Sequence, residues 1–293
     1  HQPQDAKELE EARRRLVFEE FFVFSAGLSL MRARRTVQQV QAYNHLDLEP
    51  VCAALPFALT GAQRRAMEEI AGDLRRGVPM NRLLQGDVGS GKTVVAAAAA
   101  YWAARNGAQT ALMAPTEILA EQHYRTLRTL LEPLGVRCAL LTGGLPAGEK
   151  RRVRLALAGG QVELAIGTHA LLSETTEFLR LGMVITDEQH RFGVAQRAAL
   201  SEKGQGAHLL VMSATPIPRT LALILYGDLD VSVLDELPPG RQKTDTFLVN
   251  ETYRGRLNGF LRQQVQAGHQ CYVVCPSVEE GETESGKAAQ AWA

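Results

Sequence analysis

The residues best suited to chemistry are Gly86 to Thr93, which read Gly-Asp-Val-Gly-Ser-Gly-Lys-Thr. They follow the apolar pair Leu83-Leu84 and precede an alanine-rich run, so a strand, a glycine-rich loop and a helix are expected in that order. In such a loop the backbone N–H groups and the helix N-terminus attract phosphates. The spacing predicts a site for a nucleoside triphosphate with Mg²⁺. We expect it to be formed by Gly86, Gly89, Ser90 and Gly91, by Lys92 at the β and γ phosphates, and by Thr93 on the magnesium ion.

A second acidic motif follows the apolar run Met183-Val184-Ile185, where Asp187 and Glu188 stand side by side. Carboxylates at the end of a buried strand beside a phosphate loop can hold magnesium and activate water. We expect Asp187 to bind the metal and Glu188 to orient or deprotonate the attacking water. The pair therefore predicts hydrolysis as well as binding, the alternative being a solvated turn.

Other strand ends carry small residues and hydroxyl groups. Such groups suit phosphate contacts or a link between the γ-phosphate and a partner lobe. Taken singly, Ala-Pro-Thr at 114–116 and Gly-Thr-His at 167–169 are more often helix caps, and any strand can end in Ser-Ala-Thr. The expected DNA contacts are Pro115, Thr116, Thr168 and His169, and the expected coupling residues are His190, Ser213 and Thr215.

Upstream of the loop, Gln63 and Phe57 are candidates for the base of the nucleotide. The amide of Gln63 can read the adenine edge while the ring of Phe57 packs on the base. The alternative for Gln63 is an exposed helical glutamine.

The elements that position these residues alternate in type. Short apolar runs separated by helix-length segments predict an α/β fold with a mostly parallel sheet, covered on both faces. The expected strands are 82–84, 110–114, 138–141, 164–167, 183–186 and 209–213. The run Leu-Pro-Pro-Gly at 237–240 is typical of a linker. After it we expect strands at 247–249 and 271–274 around a helix at 253–267.

These patterns divide the chain into four expected parts. Residues 1–50 are a helical N-terminal segment, 51–240 an α/β lobe that contains the phosphate loop, 241–280 the start of a second lobe, and 281–293 a disordered polar tail. The phenylalanine cluster at 18–24 is too apolar for a free helix and is expected to dock on this protein or on a partner.

Composition narrows the function classes. Of 293 residues, 45% are hydrophobic and 22% charged, which is typical of a globular domain, and the chain shows neither a membrane span nor a signal peptide, so a cytoplasmic protein is expected. The formal net charge is zero, which argues against a general polyanion coat, so any nucleic-acid contact must be local. The four cysteines lack metal or disulfide spacing and are expected to be reduced thiols.

Taken together, the motifs resemble those of superfamily-2 helicases, in the family's order. The matching segments are Gln63, the loop 86–93, Ala-Pro-Thr at 114–116, Gly-Thr-His at 167–169, Asp-Glu-Gln-His at 187–190 and Ser-Ala-Thr at 213–215. Within that superfamily, four longer segments resemble the RecG family: 187–194, 214–220, 226–230 and 235–241. The related Mfd translocases have Asp-Glu-Glu-Gln where this chain has Asp-Glu-Gln-His, which favours RecG.

The resemblance implies an ATP-driven double-stranded DNA translocase, acting as a monomer, that remodels stalled forks and Holliday junctions. It covers about residues 50 to 280. It implies that 51–240 is a RecA-like ATP-binding helicase lobe and that 241–280 is the start of a second RecA-like lobe. An N-terminal wedge domain and the arginine-bearing motifs of the second lobe, which RecG-like proteins carry, have no counterpart in this sequence. We therefore expect poor ATPase activity from the chain alone.

Two other functions stay open at this point. An Mfd-like translocase lobe would share every motif except the Asp-Glu-Gln-His variant. A nucleotide-binding module would bind without turnover. A P-loop kinase or metabolic NTPase is disfavoured by Ser-Ala-Thr and Ala-Pro-Thr.

Overall fold

A computed structural model describes residues 5–37, 39–187, 206–214, 229–236 and 245–274. The chain forms two compact units, His1–Arg241 and Gln242–Ala293. The expected linker at 237–240 and the polar tail at 281–293 lie outside the described residues. The four-part division of the chain stays a prediction.

Over the described residues, helices and strands alternate along the first unit. The α-helices are α1 (Ala6–Val37), α2 (Glu49–Ala54), α3 (Gly61–Leu74), α4 (Lys92–Arg105), α5 (Glu117–Leu131) and α6 (Ala147–Ala158), with α7 (Arg254–Gln266) in the second unit. The strands are β1 (Asn81–Gly86), β2 (Gln109–Met113), β3 (Cys138–Leu141), β4 (Leu164–Gly167), β5 (Leu181–Asp187), β6 (His208–Ser213) and β7 (Asp230–Leu234). Short 3-10 helices span Glu132–Leu134, His169–Leu172 and Glu251–Tyr253.

The seven strands form one sheet in the order β3-β4-β2-β5-β6-β1-β7, and every pair is parallel. The predicted α/β fold is thus confirmed, as are the first six strands. Strand β7 was not expected. Because all strands run the same way, their carboxyl ends share one edge of the sheet, where open α/β sheets bind ligands.

Helix α4 is buried along most of its length. Its alanines from Ala96 to Ala100 are all buried, and small side chains let the helix lie close to the sheet. Trp102, at the far end of α4, is 1% exposed and donates from Nε1 to the carbonyl of Asp47 at 2.9 Å. The helix that follows the phosphate loop is therefore held at both its sheet face and its end.

A buried arginine ties α3 to the strands. Arg82 of β1 donates from Nε to Asp73 Oδ2 at 2.8 Å and from a terminal nitrogen to Glu69 Oε2 at 2.8 Å. The same nitrogen donates to the Ser232 hydroxyl of β7 at 2.9 Å. The network fixes α3, which carries Gln63, against β1, which leads into the phosphate loop.

Helix α1 covers most of the segment 1–50 that was expected to be helical, whereas residues 39–48 of that segment are not helical. The apolar cluster on it stays at the surface: Phe18, Phe21, Phe22 and Phe24 are all more than a third exposed. The expectation that they dock on this chain is thus not met by the described residues.

In the second unit, only the helix agrees with expectation. Helix α7 matches the predicted helix, but residues 247–249 and 271–274 form no strand. A strand needs a hydrogen-bonded neighbour, and no backbone ladder joins either segment among the described residues. Leu248 and Tyr272 accordingly stand almost fully exposed. The prediction of strands in these two apolar runs is therefore wrong for the described residues.

None of the helices built by the described residues combines the length and apolar character that crossing a membrane requires.

Candidate functional site

The phosphate loop joins β1 to α4 as its spacing predicts. Gly91 is the N-cap of α4 with φ of 89°, a left-handed conformation that favours glycine, and a Cβ there would lie 2.1 Å from the Gln63 amide nitrogen. A Cβ on Gly86 would lie 2.5 Å from the Ser90 hydroxyl oxygen. The loop is therefore closed so tightly that these two positions admit no side chain.

Lys92 lies across the mouth of this loop. Its Nζ donates to the carbonyl oxygens of Gly86 at 2.6 Å and Asp87 at 3.0 Å. Thr93 follows in the first turn of α4 and is half-buried. An ammonium group and the N-terminus of α4 thus both lie at this loop, and both favour the binding of an anion.

Gln63 contacts the phosphate loop directly. Its side chain accepts from the Thr60 amide at 3.0 Å, completing a capping box on α3, and donates from Nε2 to the Ser90 carbonyl at 2.8 Å. The residue is 1% exposed. The alternative of an exposed helical glutamine is therefore wrong. Phe57, which was expected to pack on the base, is about half exposed.

The acidic motif begins at the end of β5. Asp187 pairs in register with Met212 of β6, which pairs with Leu84 of β1. With neighbouring strands about 4.8 Å apart, Asp187 stands roughly 10 Å across the sheet from Leu84, at the same height. The intervening strand ends at Ser213, which is 1% exposed. Glu188, His190 and Thr215 lie outside the described residues.

A residue missed at the sequence level reaches Asp187. His123 Nε2 of α5 lies 2.8 Å from Asp187 Oδ2, and both side chains are mostly buried. A histidine within an amphipathic helix carries no local signal of such a role, because its partner is distant in sequence. Only the folded structure, in which α5 packs on β3, β4 and α4, brings His123 to the end of β5.

The expected DNA contacts lie along the other half of the same edge. Thr116 is exposed and caps α5, its hydroxyl accepting from the Leu119 amide at 3.3 Å, and Pro115 is half-buried. His169 is exposed, whereas Thr168 is 3% exposed and its hydroxyl has no hydrogen-bond partner among the described residues. Pro115, Thr116 and His169 therefore present this part of the edge to solvent.

The oxygen atoms in the half of the edge that holds the phosphate loop suit a hard divalent cation. Thr93 supplies a hydroxyl and Asp187 a carboxylate, the oxygen ligands that Mg²⁺ prefers. Ser90 adds a fully buried hydroxyl that has no partner among the described residues. The chemistry of these groups, all near the phosphate loop, suits a magnesium nucleotide.

Comparison with known proteins agrees with this geometry. The model of the DEAD/DEAH box helicase family matches residues 60–224, which include Gln63, the phosphate loop and the acidic motif. The chain belongs to the DEAD/DEAH box helicase family. Membership in this helicase family implies nucleotide binding.

Within this helicase family, the similarity is to RecG. The chain is 49% identical over 292 residues to the ATP-dependent DNA helicase RecG of Synechocystis. This alignment covers 99% of this chain and 35% of that protein. The chain is 46% identical over 285 residues to RecG of Bacillus subtilis, covering 96% of this chain and 42% of that protein. The resemblance to RecG is thus confirmed, and the chain spans about two fifths or less of the length of these relatives.

A solved structure shows the same likeness. The structure of RecG bound to a three-way DNA junction superposes with a TM-score of 0.78 at 45% identity, covering 92% of this chain and 36% of that one. The seven-stranded RecA-like architecture of this helicase lobe agrees with it.

Proposed function

We propose that this chain carries the ATP-binding and ATP-hydrolysing lobe of a RecG-type DNA helicase that remodels branched double-stranded DNA. The substrates proposed are stalled forks and Holliday junctions, in DNA repair and recombination. The observation that carries the proposal is the single sheet edge, which holds the phosphate loop and Asp187 at one half and Thr116 and His169 at the other. Its likeness to a RecG seen on a three-way junction supports the choice of branched DNA.

The chain's own residues account for phosphate binding and water activation. Lys92 would leave the carbonyls of Gly86 and Asp87 for the β and γ phosphates, and the loop amides would hold the phosphate oxygens. Thr93 and Asp187 would hold Mg²⁺, which when bound neutralises charge on the phosphates. Glu188 would orient or deprotonate the water that attacks the γ-phosphate.

Recognition of the base is assigned to Gln63 and Phe57. Gln63 already bonds the phosphate loop at Ser90, so a base contact at its amide would be felt at the phosphates. The half-exposed ring of Phe57 is available for stacking.

Coupling to DNA is assigned to the remaining motifs. Ser213, Thr215 and His190 would connect the γ-phosphate to a second lobe, which we place at 241–280, after a first lobe at 51–240. Pro115, Thr116, Thr168 and His169 would contact DNA phosphates. We further propose that the protein acts as a monomer in the cytoplasm.

An exchange experiment tests the proposal. The aligned 285 residues of the Bacillus subtilis relative are replaced by this chain, and ATP turnover and unwinding of a three-way junction are measured. We expect junction-stimulated turnover and unwinding, both lost in the same chimera with Lys92→Ala. A folded chimera that binds nucleotide but never hydrolyses it would instead favour the binding-module alternative.

An Mfd-like translocase lobe is the remaining alternative, and it is not favoured. The acidic motif reads Asp-Glu-Gln-His, and the relatives compared above are RecG proteins. Unwinding by the chimera would be the RecG outcome.

A further inference from the structure

Helix α5 touches both halves of the functional edge. Thr116, an expected DNA contact, is its N-cap, and His123 lies two turns further along. Thr116 is at the surface, whereas His123 is mostly buried and ends against Asp187 at 2.8 Å. One rigid element therefore joins the expected DNA surface to the acidic motif.

The chemistry of the pair sets the direction of the bond. An ionised carboxylate can only accept, so Nε2 of His123 carries the hydrogen and donates to Oδ2. This bond uses one acceptor site of Oδ2, so Oδ1 and the second lone pair of Oδ2 remain for a magnesium ion. A single carboxylate rotates about its Cβ–Cγ bond, and a fixed donor at one oxygen removes that freedom.

Helix α5 is itself firmly placed. It packs on β3, β4 and α4, and its buried face includes Ala120, Leu127 and Leu131. Glu117 in its first turn also accepts from the Gly144 amide at 2.8 Å, which ties it to the loop after β3. His123 is thus presented to Asp187 by a helix held on several sides.

We propose that His123 is a positioning residue that fixes the Asp187 carboxylate for Mg²⁺ and ties the metal site to helix α5. The inference rests on the proposed function, because it takes Asp187 as the magnesium ligand. Groups that orient a metal ligand typically contribute 10- to 100-fold to metal affinity. His123 acts on the metal through the carboxylate and has no contact with the nucleotide of its own.

Binding of a fluorescent, non-hydrolysable ATP analogue to the 293-residue chain, titrated with Mg²⁺, tests the inference without reference to turnover. His123→Ala should raise the Mg²⁺ concentration at half-saturation at least about tenfold, with binding in EDTA unchanged. His123→Gln places an amide nitrogen at about the same reach and should restore most of the affinity, whereas the shorter His123→Asn should not. Gln122→Ala, an exposed neighbour on α5, is the matched control.

Each outcome decides something. A His123→Ala chain that matches Gln122→Ala, while Lys92→Ala loses the analogue, overturns the inference and leaves the proposed function standing. A loss of binding by His123→Ala that is equally large in EDTA also overturns it, because the residue would then support the fold of the site. Unimpaired binding by Lys92→Ala overturns the proposed function. If His123→Ala lowers the melting temperature of the chain, the Mg²⁺ affinities of His123→Gln and His123→Asn still test the inference, and equal affinities would overturn it.

Discussion

The side-chain amide of Gln63 donates to the backbone carbonyl of Ser90 at 2.8 Å, linking the first turn of α3 to the phosphate loop. Its carbonyl oxygen simultaneously accepts from the Thr60 amide. The residue proposed to read adenine thus also holds the loop proposed to grip phosphates. The proposed adenine and phosphate positions of the nucleotide site are thus linked by the hydrogen bonds of one side chain.

Gln63→Glu should separate the two roles of this side chain. A carboxylate still accepts from Thr60, but it places an oxygen against the Ser90 carbonyl, where no hydrogen bond can form. Leaving the Ser90 carbonyl without a donor and beside a negative charge costs about 1–3 kcal/mol. Binding of the fluorescent ATP analogue should therefore weaken about tenfold or more. Equilibrium binding and far-UV circular dichroism check this, and retained affinity with an intact helix content would contradict the link.

Glu188→Gln should separate binding from hydrolysis. The amide keeps size and hydrogen bonding but cannot take a proton, so ATP turnover in the exchange chimera should fall by roughly 10²-fold or more while nucleotide binding persists. Single-turnover phosphate release and equilibrium binding measure the two quantities. Loss of binding instead would make Glu188 a structural residue or metal ligand and reopen the role of Asp187.

Thr168→Val tests whether a buried hydroxyl serves DNA. The Thr168 hydroxyl has no partner among the described residues, so removing it should leave the free energy of unfolding unchanged or raise it by about 1 kcal/mol. Urea unfolding measures this. Weaker binding of a three-way DNA junction by the same variant would support a DNA role for Thr168. Unchanged binding would mean that His169 alone makes the proposed DNA contact at the end of β4.

Acid should destabilise the first unit through His208, far from the nucleotide. Burial lowers the pKa of His208 to about 4 from its usual 6.5, opposed by a hydrogen bond to the Gln41 backbone. Between pH 6.5 and pH 4, His208 is protonated in the unfolded chain but not in the folded chain. The contribution of neutral His208 to the free energy of unfolding is therefore fully present above pH 6.5 and is lost as the pH falls toward 4. The loss between pH 7 and pH 5 should be about 2 kcal/mol.

The control for this acid effect is His208→Asn. Its oxygen can take the place of Nδ1, which accepts from the Met80 amide at 3.1 Å. Urea unfolding of the variant should show a flatter pH dependence over the same range. An identical slope in both chains would assign the acid sensitivity to other groups.

Local sequence patterns were sufficient for the strands buried on both faces. Runs such as Met183-Val184-Ile185 are continuous and apolar because helices cover both sides of a parallel sheet. Strand β7 escaped notice because it is an edge strand, where Asp230 and Ser232 interrupt the apolar pattern and Val233 faces solvent. The runs at 247–249 and 271–274 were wrongly predicted to be strands, because apolar composition does not show whether a neighbouring strand is present to pair with.

The site divides in the same way. Lys92 and Thr93 could be assigned from spacing because their positions follow from one local turn. The burial of Gln63 against Ser90 and the contact of His123 with Asp187 depend on how α3 and α5 pack, which no local window contains. Long-range pairs of single polar residues are thus where structure adds most.

The most direct measurement of the central claim is the affinity of the 293-residue chain for a fluorescent, non-hydrolysable ATP analogue with Mg²⁺, compared between the unsubstituted chain, Lys92→Ala and Lys7→Ala. Loss of a charged hydrogen-bond donor to phosphate costs about 1.5–3 kcal/mol, so Lys92→Ala should bind about 10- to 100-fold more weakly. Lys7→Ala, an exposed lysine on α1, should bind like the unsubstituted chain. Equal affinity in all three would contradict the assignment of the loop at 86–93 as the nucleotide site.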